Sequence, residues 1–218
     1  MKNENAQTLD KMRRFGCIPF NDPWPNYVKK FNLTNVHIKE LTEVIDSSNL
    51  SLVTNRCSEE EFFPMHAWRA LAQLKSKECV PVLLKALLAT VNKDAFWYRI
   101  ELPNMLKVIG SESIKSIEVF LKKEIDWDYK VILIKGLVEI AINEPKQKNL
   151  IWSIIHNVLK DYKNNDLSFN ASVLNEVFKL RPFESNLIKT IIDENKIDLD
   201  FIDKKELQSF IKESKMYE

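Results

Sequence analysis

The sequence predicts an all-α fold, an α-solenoid of stacked antiparallel helix pairs with about 9–11 helices. Three observations carry that prediction. Apolar residues recur at intervals of three and four through most of the 218 residues, the period of a helix with a buried face. Only three glycines occur, and alternating strand-like runs are few. A helix–turn–helix pattern also recurs: aligned first-helix ends fall at Leu74, Ile109, Ile142 and Leu180, in steps of 33 to 38 residues. One such pair is too small to bury its own apolar face, so neighbours must stack.

Taken in order, residues 1–33 form an irregular N-terminal segment. Met1–Asp10 is polar and reads as frayed. Cys17–Tyr27 holds three prolines and reads as extended chain packed by Phe20, Trp24 and Tyr27. The helical domain runs over 34–218. Thr34 or Asn35 caps a first helix to about Ser47, with Val36, Leu41, Val44 and Ile45 inward.

The clearest pair lies within Pro64–Leu88. Ser58 and Glu61 have capping-box spacing, and Phe63, Ala67, Ala70, Leu71 and Leu74 share one face. A polar turn follows. Ser76 caps the partner helix, with Pro81 in its first turn and Cys79, Val80, Leu83, Leu84, Leu87 and Leu88 buried. A short polar turn makes the two helices antiparallel.

The next first helix carries Phe96, Trp97, Ile100, Leu102, Met105, Leu106 and Ile109 and ends at Gly110, the residue suited to a terminal position of positive φ. Ile114, Ile117, Phe120 and Leu121 stripe its partner. Asp126 or Asp128 starts a third pair whose first helix Glu144-Pro145 stops. Asp166 opens a fourth, broken at Arg181-Pro182. Asp203 with Glu206 repeats the capping-box spacing before the last helix.

Two of these segments, AWRALAQLKSKECVPVLLKALL and ELPNMLKVIGSESIKSIEVFLKKE, resemble HEAT repeats of the short bacterial type, as in phycobilin-lyase-like HEAT proteins. Ala70, Leu71, Leu74, Val80, Pro81, Leu83 and Leu84 carry the likeness in the first, and Leu106, Ile109, Gly110, Ile114 and Ile117 in the second. About 60 residues match well and about 150 loosely. The resemblance implies a solenoid with a concave face lined by second helices. It implies no single activity, because such arrays serve scaffolds, lyase chaperones and DNA-repair enzymes alike.

Composition narrows the use. There are 32 basic and 31 acidic residues, a net charge of +1, which gives no general attraction for nucleic acid. No apolar run approaches the roughly 20 residues that span a bilayer, and Met1–Asp10 lacks the apolar centre of a secretion signal. Cys17, Cys57 and Cys79 fall in no paired spacing, so reduced thiols in the cytoplasm are expected. His37, His66 and His156 stand apart, with no metal-ligand spacing. No glycine-rich phosphate loop occurs. No cofactor and no catalytic set are implied.

The polar and aromatic residues of the first two repeats are the candidate partner-binding set: His66, Trp68 and Arg69 on one helix, Trp97, Tyr98, Arg99 and Glu101 on the next. Aromatics with arginine are the usual anchors of protein interfaces. The plainer alternative makes Trp68 and Trp97 core packing and Arg69–Glu101 a structural ion pair. His66 and Glu101, 35 residues apart, are expected side by side in a stacked array. Asp126 and Asp128 around Trp127 read as cap residues. The expected function is a non-enzymatic scaffold that binds another protein. The alternatives are a HEAT-like DNA glycosylase, using Trp97, Tyr98, Trp127 and Asp128, and a lyase or chaperone with an aromatic ligand pocket.

Overall fold

A computed structural model describes residues 2–18, 22–48, 50, 53, 60–90, 95–180 and 186–216. Its regular elements are all helices, and there is no strand among the described residues. The chain divides into two compact units, Met1–Ser116 and Ile117–Glu218.

The first unit is built on α4 (Phe63–Leu74), which is entered through a single 3₁₀ turn and has Pro64 at its start. Ten consecutive residues, Phe63–Ala72, are buried. That is more than one apolar stripe. Around α4 pack α1 (Lys2–Arg13), α2 (Tyr27–Phe31), α3 (Ile38–Ser47), α5 (Cys79–Leu88) and α6 (Phe96–Ile109). The α4–α5 turn has no glycine, so Lys75 itself takes the left-handed conformation, φ 53°. The Ser76 hydroxyl then accepts the Glu78 N–H at 3.3 Å as α5 begins. Gly110 ends α6 at φ 82°, ψ −146°, a conformation a side chain would obstruct. The Ser58 half of the expected capping box lies outside the described residues.

Two expectations change here. The N-terminal segment is not wholly irregular: α1 and α2 fold within it. Asn26 caps α2 by accepting the Lys29 N–H at 2.8 Å, and Asn32 ends it at φ 51°. Phe15 packs edge-on to Tyr27 and Phe31, with ring centroids 6.2 and 5.3 Å away, and Met12 is wholly buried. Val36, expected inward, is exposed, because Asn35–His37 is a 3₁₀ turn that changes its direction relative to Leu41 and Ile45. Phe96 and Ile100, two of the apolar residues the helix carries, are exposed too; the buried side of α6 includes Tyr98, Glu101, Leu102, Met105 and Leu106.

The second unit holds α8 (Trp127–Asn143), α9 (Lys148–Leu159), α10 (Leu167–Val177), α11 (Asn186–Asp193) and α12 (Lys204–Met216); α7 (Ile114–Leu121) spans the boundary. Helix α8 packs on α9 and on α10. It stops before Glu144-Pro145, as the missing proline N–H requires. Asp166 caps α10 through the Ser168 and Phe169 amides, at 2.7 and 3.4 Å. Asp203 caps α12 through the Lys205 and Glu206 amides, at 2.9 and 3.1 Å. The break at Arg181-Pro182 lies outside the described residues. Buried Asn170 ties the unit together. Its amide donates to the Tyr162 and Lys196 carbonyls, both at 2.9 Å, and accepts from Asn165 at 3.1 Å.

Candidate functional site

Five of the seven candidate residues are brought together, inside the first unit. His66, Trp68, Arg69, Tyr98 and Glu101 are all buried, four of them completely and Glu101 to within 3%. The Glu101 carboxylate is the acceptor at the centre. Trp68 Nε1–H donates to its Oε2 at 2.6 Å, and Arg69 Nε–H lies 3.0 Å from both oxygens. Arg69 Nη2 bonds Oε1 as well. A helix places Trp68 and Arg69 about 100° apart, so adjacent residues of α4 reach one carboxylate on α6 only from a face turned squarely towards it. Arg69, not His66, is the neighbour of Glu101.

The other half of the network comes from the N-terminal segment. His66 Nε2 lies 2.9 Å from the Gly16 carbonyl oxygen, and Nδ1 lies 2.9 Å from the Tyr27 hydroxyl. A carbonyl only accepts, so Nε2 carries the proton and Nδ1 accepts from Tyr27. Burial holds the imidazole neutral, its pKa lowered to about 4, with the Arg69 charge acting in the same direction and the Gly16 bond opposing. Burial likewise pushes the Tyr27 phenol up to about 12, against the neighbouring Arg69 cation. Arg69 stays a cation, its pKa raised: burial opposes the charge, but the Glu101 carboxylate outweighs it. The Trp24 ring covers the guanidinium, 5.2 Å from its carbon, and among the described residues Arg69 Nη1 meets no acceptor at hydrogen-bonding geometry. Gln73 completes the tie: its amide donates to the Pro25 carbonyl at 2.8 Å and accepts the Tyr27 N–H at 2.7 Å.

This arrangement is a latch. It joins the N-terminal segment, α2, α4 and α6 through groups that are already committed to one another. Tyr98 is used the same way: its hydroxyl donates to the Leu83 carbonyl at 2.6 Å, and its ring meets Trp68 edge-on at 5.0 Å. These five side chains therefore present no surface to a partner. Trp97 and Arg99 are half-buried, and Trp97 stands edge-on to exposed Phe96 with centroids 6.3 Å apart. Sequence reasoning missed Gly16, Trp24, Tyr27 and Gln73 as members of the network. The proline-rich stretch marked Trp24 and Tyr27 as packing residues, but without a periodicity it could not say against what.

The remaining candidates fall elsewhere. His37 Nδ1 accepts the Thr34 N–H at 3.1 Å in a cap, and His156 lies against Trp152 at 5.6 Å. Cys79 is buried, its thiol pushed up to about 11 by burial, and Cys17 is exposed; Cys57 lies outside the described residues. Asp126 stands at the α8 N-cap position, but its side chain makes no capping bond. Among the described residues no three His, Cys, Asp or Glu side chains gather to hold a metal ion, and no helix is long and apolar enough to cross a membrane. Comparison with family models, with curated proteins and with solved structures returns no match to this chain.

Proposed function

We propose that the chain is a non-enzymatic, HEAT-like cytoplasmic scaffold that binds another protein through its concave or ridge surface. Next-but-one packing of helices supports the repeat reading. In the first unit α3 meets α5 and α4 meets α6; in the second α8 meets α10. Stacked helix pairs pack in that way.

The observation that carries the binding role is the outer side of α6. Phe96 is 58% exposed and Ile100, one turn on, 37%, with Trp97 beside them. Helical spacing puts the first two on one face, forming an apolar ridge that the core leaves uncovered. The rival readings find less support. Tyr98, assigned to a base-binding cleft, is buried and spends its hydroxyl on Leu83. The α4–α6 junction, where a ligand pocket would open, is filled by Trp68, Tyr98 and the ion pair.

The test is quantitative co-purification at native expression, comparing the unaltered chain with Phe96→Ser/Ile100→Ser. Both changes are on the surface, so circular dichroism should be unchanged. A partner recovered with the first and lost with the second is expected. Identical recoveries would remove α6 as the binding surface.

A further inference from the structure

In the second unit three stretches meet: the start of α8, the start of α10 and the connector from α11 to α12. The Trp127 ring lies 6.3 Å from Phe201 and 6.5 Å from Phe169. The connector is pinned to α10 by the Asn170 bond to the Lys196 carbonyl and by four more hydrogen bonds. Asp198 N–H donates to the Leu167 carbonyl at 3.1 Å, and Ser168 Oγ donates to Asp198 Oδ2 at 2.9 Å. Asn175 donates to the Phe201 carbonyl at 2.7 Å and accepts the Asp203 N–H at 2.8 Å. On this fixed surface Leu167, Leu199 and Phe201 stand 43%, 56% and 50% exposed, with Trp127 half-buried beside them.

Each of these four apolar residues is preceded in the chain by an aspartate: Asp126, Asp166, Asp198 and Asp200. Asp128 and Asp203 follow close by. Between Asp193 and Asp203 the chain has five carboxylates and one lysine, Lys196, against a net charge of only +1 for the whole protein. Lys130, Lys204 and Lys205 lie in the same stretches, and Lys163 pairs with Glu194 at 3.2 Å, so the carboxylates outnumber the cations without excluding them. Capping accounts for Asp166, Asp198 and Asp203, whose carboxylates accept backbone amides. It does not account for Asp126 and Asp200. Among the described residues neither side chain has a hydrogen-bond or ion-pair partner. An aromatic and aliphatic patch set among aspartates that outnumber the neighbouring lysines is complementary to one kind of surface.

We propose that this patch docks a basic amphipathic protein segment, with lysines or arginines answering the aspartates and apolar anchors seated on Trp127, Leu199 and Phe201. The opposite sign of partner is repelled, nucleic acid included. This inference rests on the scaffold reading but uses a surface other than α6.

The test uses two labelled synthetic helical peptides with identical Leu and Trp positions, one with a lysine polar face and one with a glutamate polar face. Binding to the full chain is read by fluorescence anisotropy at low salt. The lysine peptide binds and the glutamate peptide does not. Asp126→Lys/Asp200→Lys weakens the lysine peptide about tenfold or more, and Leu199→Ser/Phe201→Ser does the same by removing anchors. All four changes are at solvent-facing side chains, and thermal melts check that the fold is kept. Lack of binding, equal binding of both peptides, or binding indifferent to the two double variants would overturn the proposal. Phe96→Ser/Ile100→Ser leaves this peptide untouched. The α6 reading and this one therefore fail in different experiments.

Discussion

Replacing Glu101 by leucine tests whether the latch is a dry ion pair. The carboxylate is 3% exposed, and its partner Arg69 is fully buried. Glu101→Leu strands that guanidinium without a counter-charge, which costs about 3–5 kcal/mol. It also leaves the Trp68 Nε1–H, now donating at 2.6 Å, unpaired, for about 1–3 kcal/mol more. The two costs overlap, so a loss of about 4 kcal/mol or more is expected. Against a total stability of about 5–15 kcal/mol, that brings the variant close to unfolding. Arg69→Met alone leaves a buried carboxylate and costs about 3 kcal/mol or more. The double variant Arg69→Met/Glu101→Leu removes both charges and keeps only the unpaired indole N–H, so it loses about 1–3 kcal/mol. The double-mutant cycle should therefore show a coupling of about 3 kcal/mol or more. Urea unfolding followed by tryptophan fluorescence measures all four proteins, and added salt should leave the coupling unchanged because the pair is dry. A Glu101→Leu loss under about 1 kcal/mol, or a coupling near zero, is the behaviour of a solvated pair and would refute the reasoning.

His66 makes the same latch sensitive to acid. Folded, the ring takes a proton only near pH 4; unfolded, it does so at 6.5. Between those values the unfolded chain binds the extra proton, so stability present above pH 6.5 is lost as pH falls towards 4, by about 3 kcal/mol in full. The difference in urea midpoint between the unaltered chain and His66→Gln should shrink across that window; a constant difference would show that His66 does not titrate this way. In the second unit, Asn170→Leu leaves the Tyr162 and Lys196 carbonyls without their buried donor, at about 2–4 kcal/mol. Thermal melting should fall by about 5–10 °C, and hydrogen exchange at Asp198, whose amide bonds Leu167, should quicken. An unchanged melt with unchanged exchange would mean that the side chain is dispensable there.

The helix ends were legible because their chemistry is local. Gly110, Glu144-Pro145, Asp166 and Asp203 each act on backbone groups within a few residues, and each marks a boundary where the spacing placed it. What the local pattern could not supply was the second neighbour of α4. Periodicity gave that helix one buried face, through Phe63, Ala67, Ala70, Leu71 and Leu74. The N-terminal segment covers the rest, and its contacts come from Gly16 and Tyr27, 50 and 39 residues away. No periodic signal links those stretches.

One cause explains the departures from simple polarity in both directions. The spacing leaves His66 and Arg69 open between a partner-binding face and a packed seam with an Arg69–Glu101 ion pair, and distant partners decide for burial: Gly16 and Tyr27 for one, Glu101 for the other. Phe96 and Ile100 are apolar at helical spacing, yet they stand exposed on α6. Polarity predicts direction only when partners are counted, since a paired charge can be buried and an unpartnered ring can be left in water. In this chain the residues with the richest chemistry are consumed by one another. Of the two apolar surfaces proposed for a partner, on α6 and around Trp127, only the second has a charge pattern that says what kind of partner would suit it.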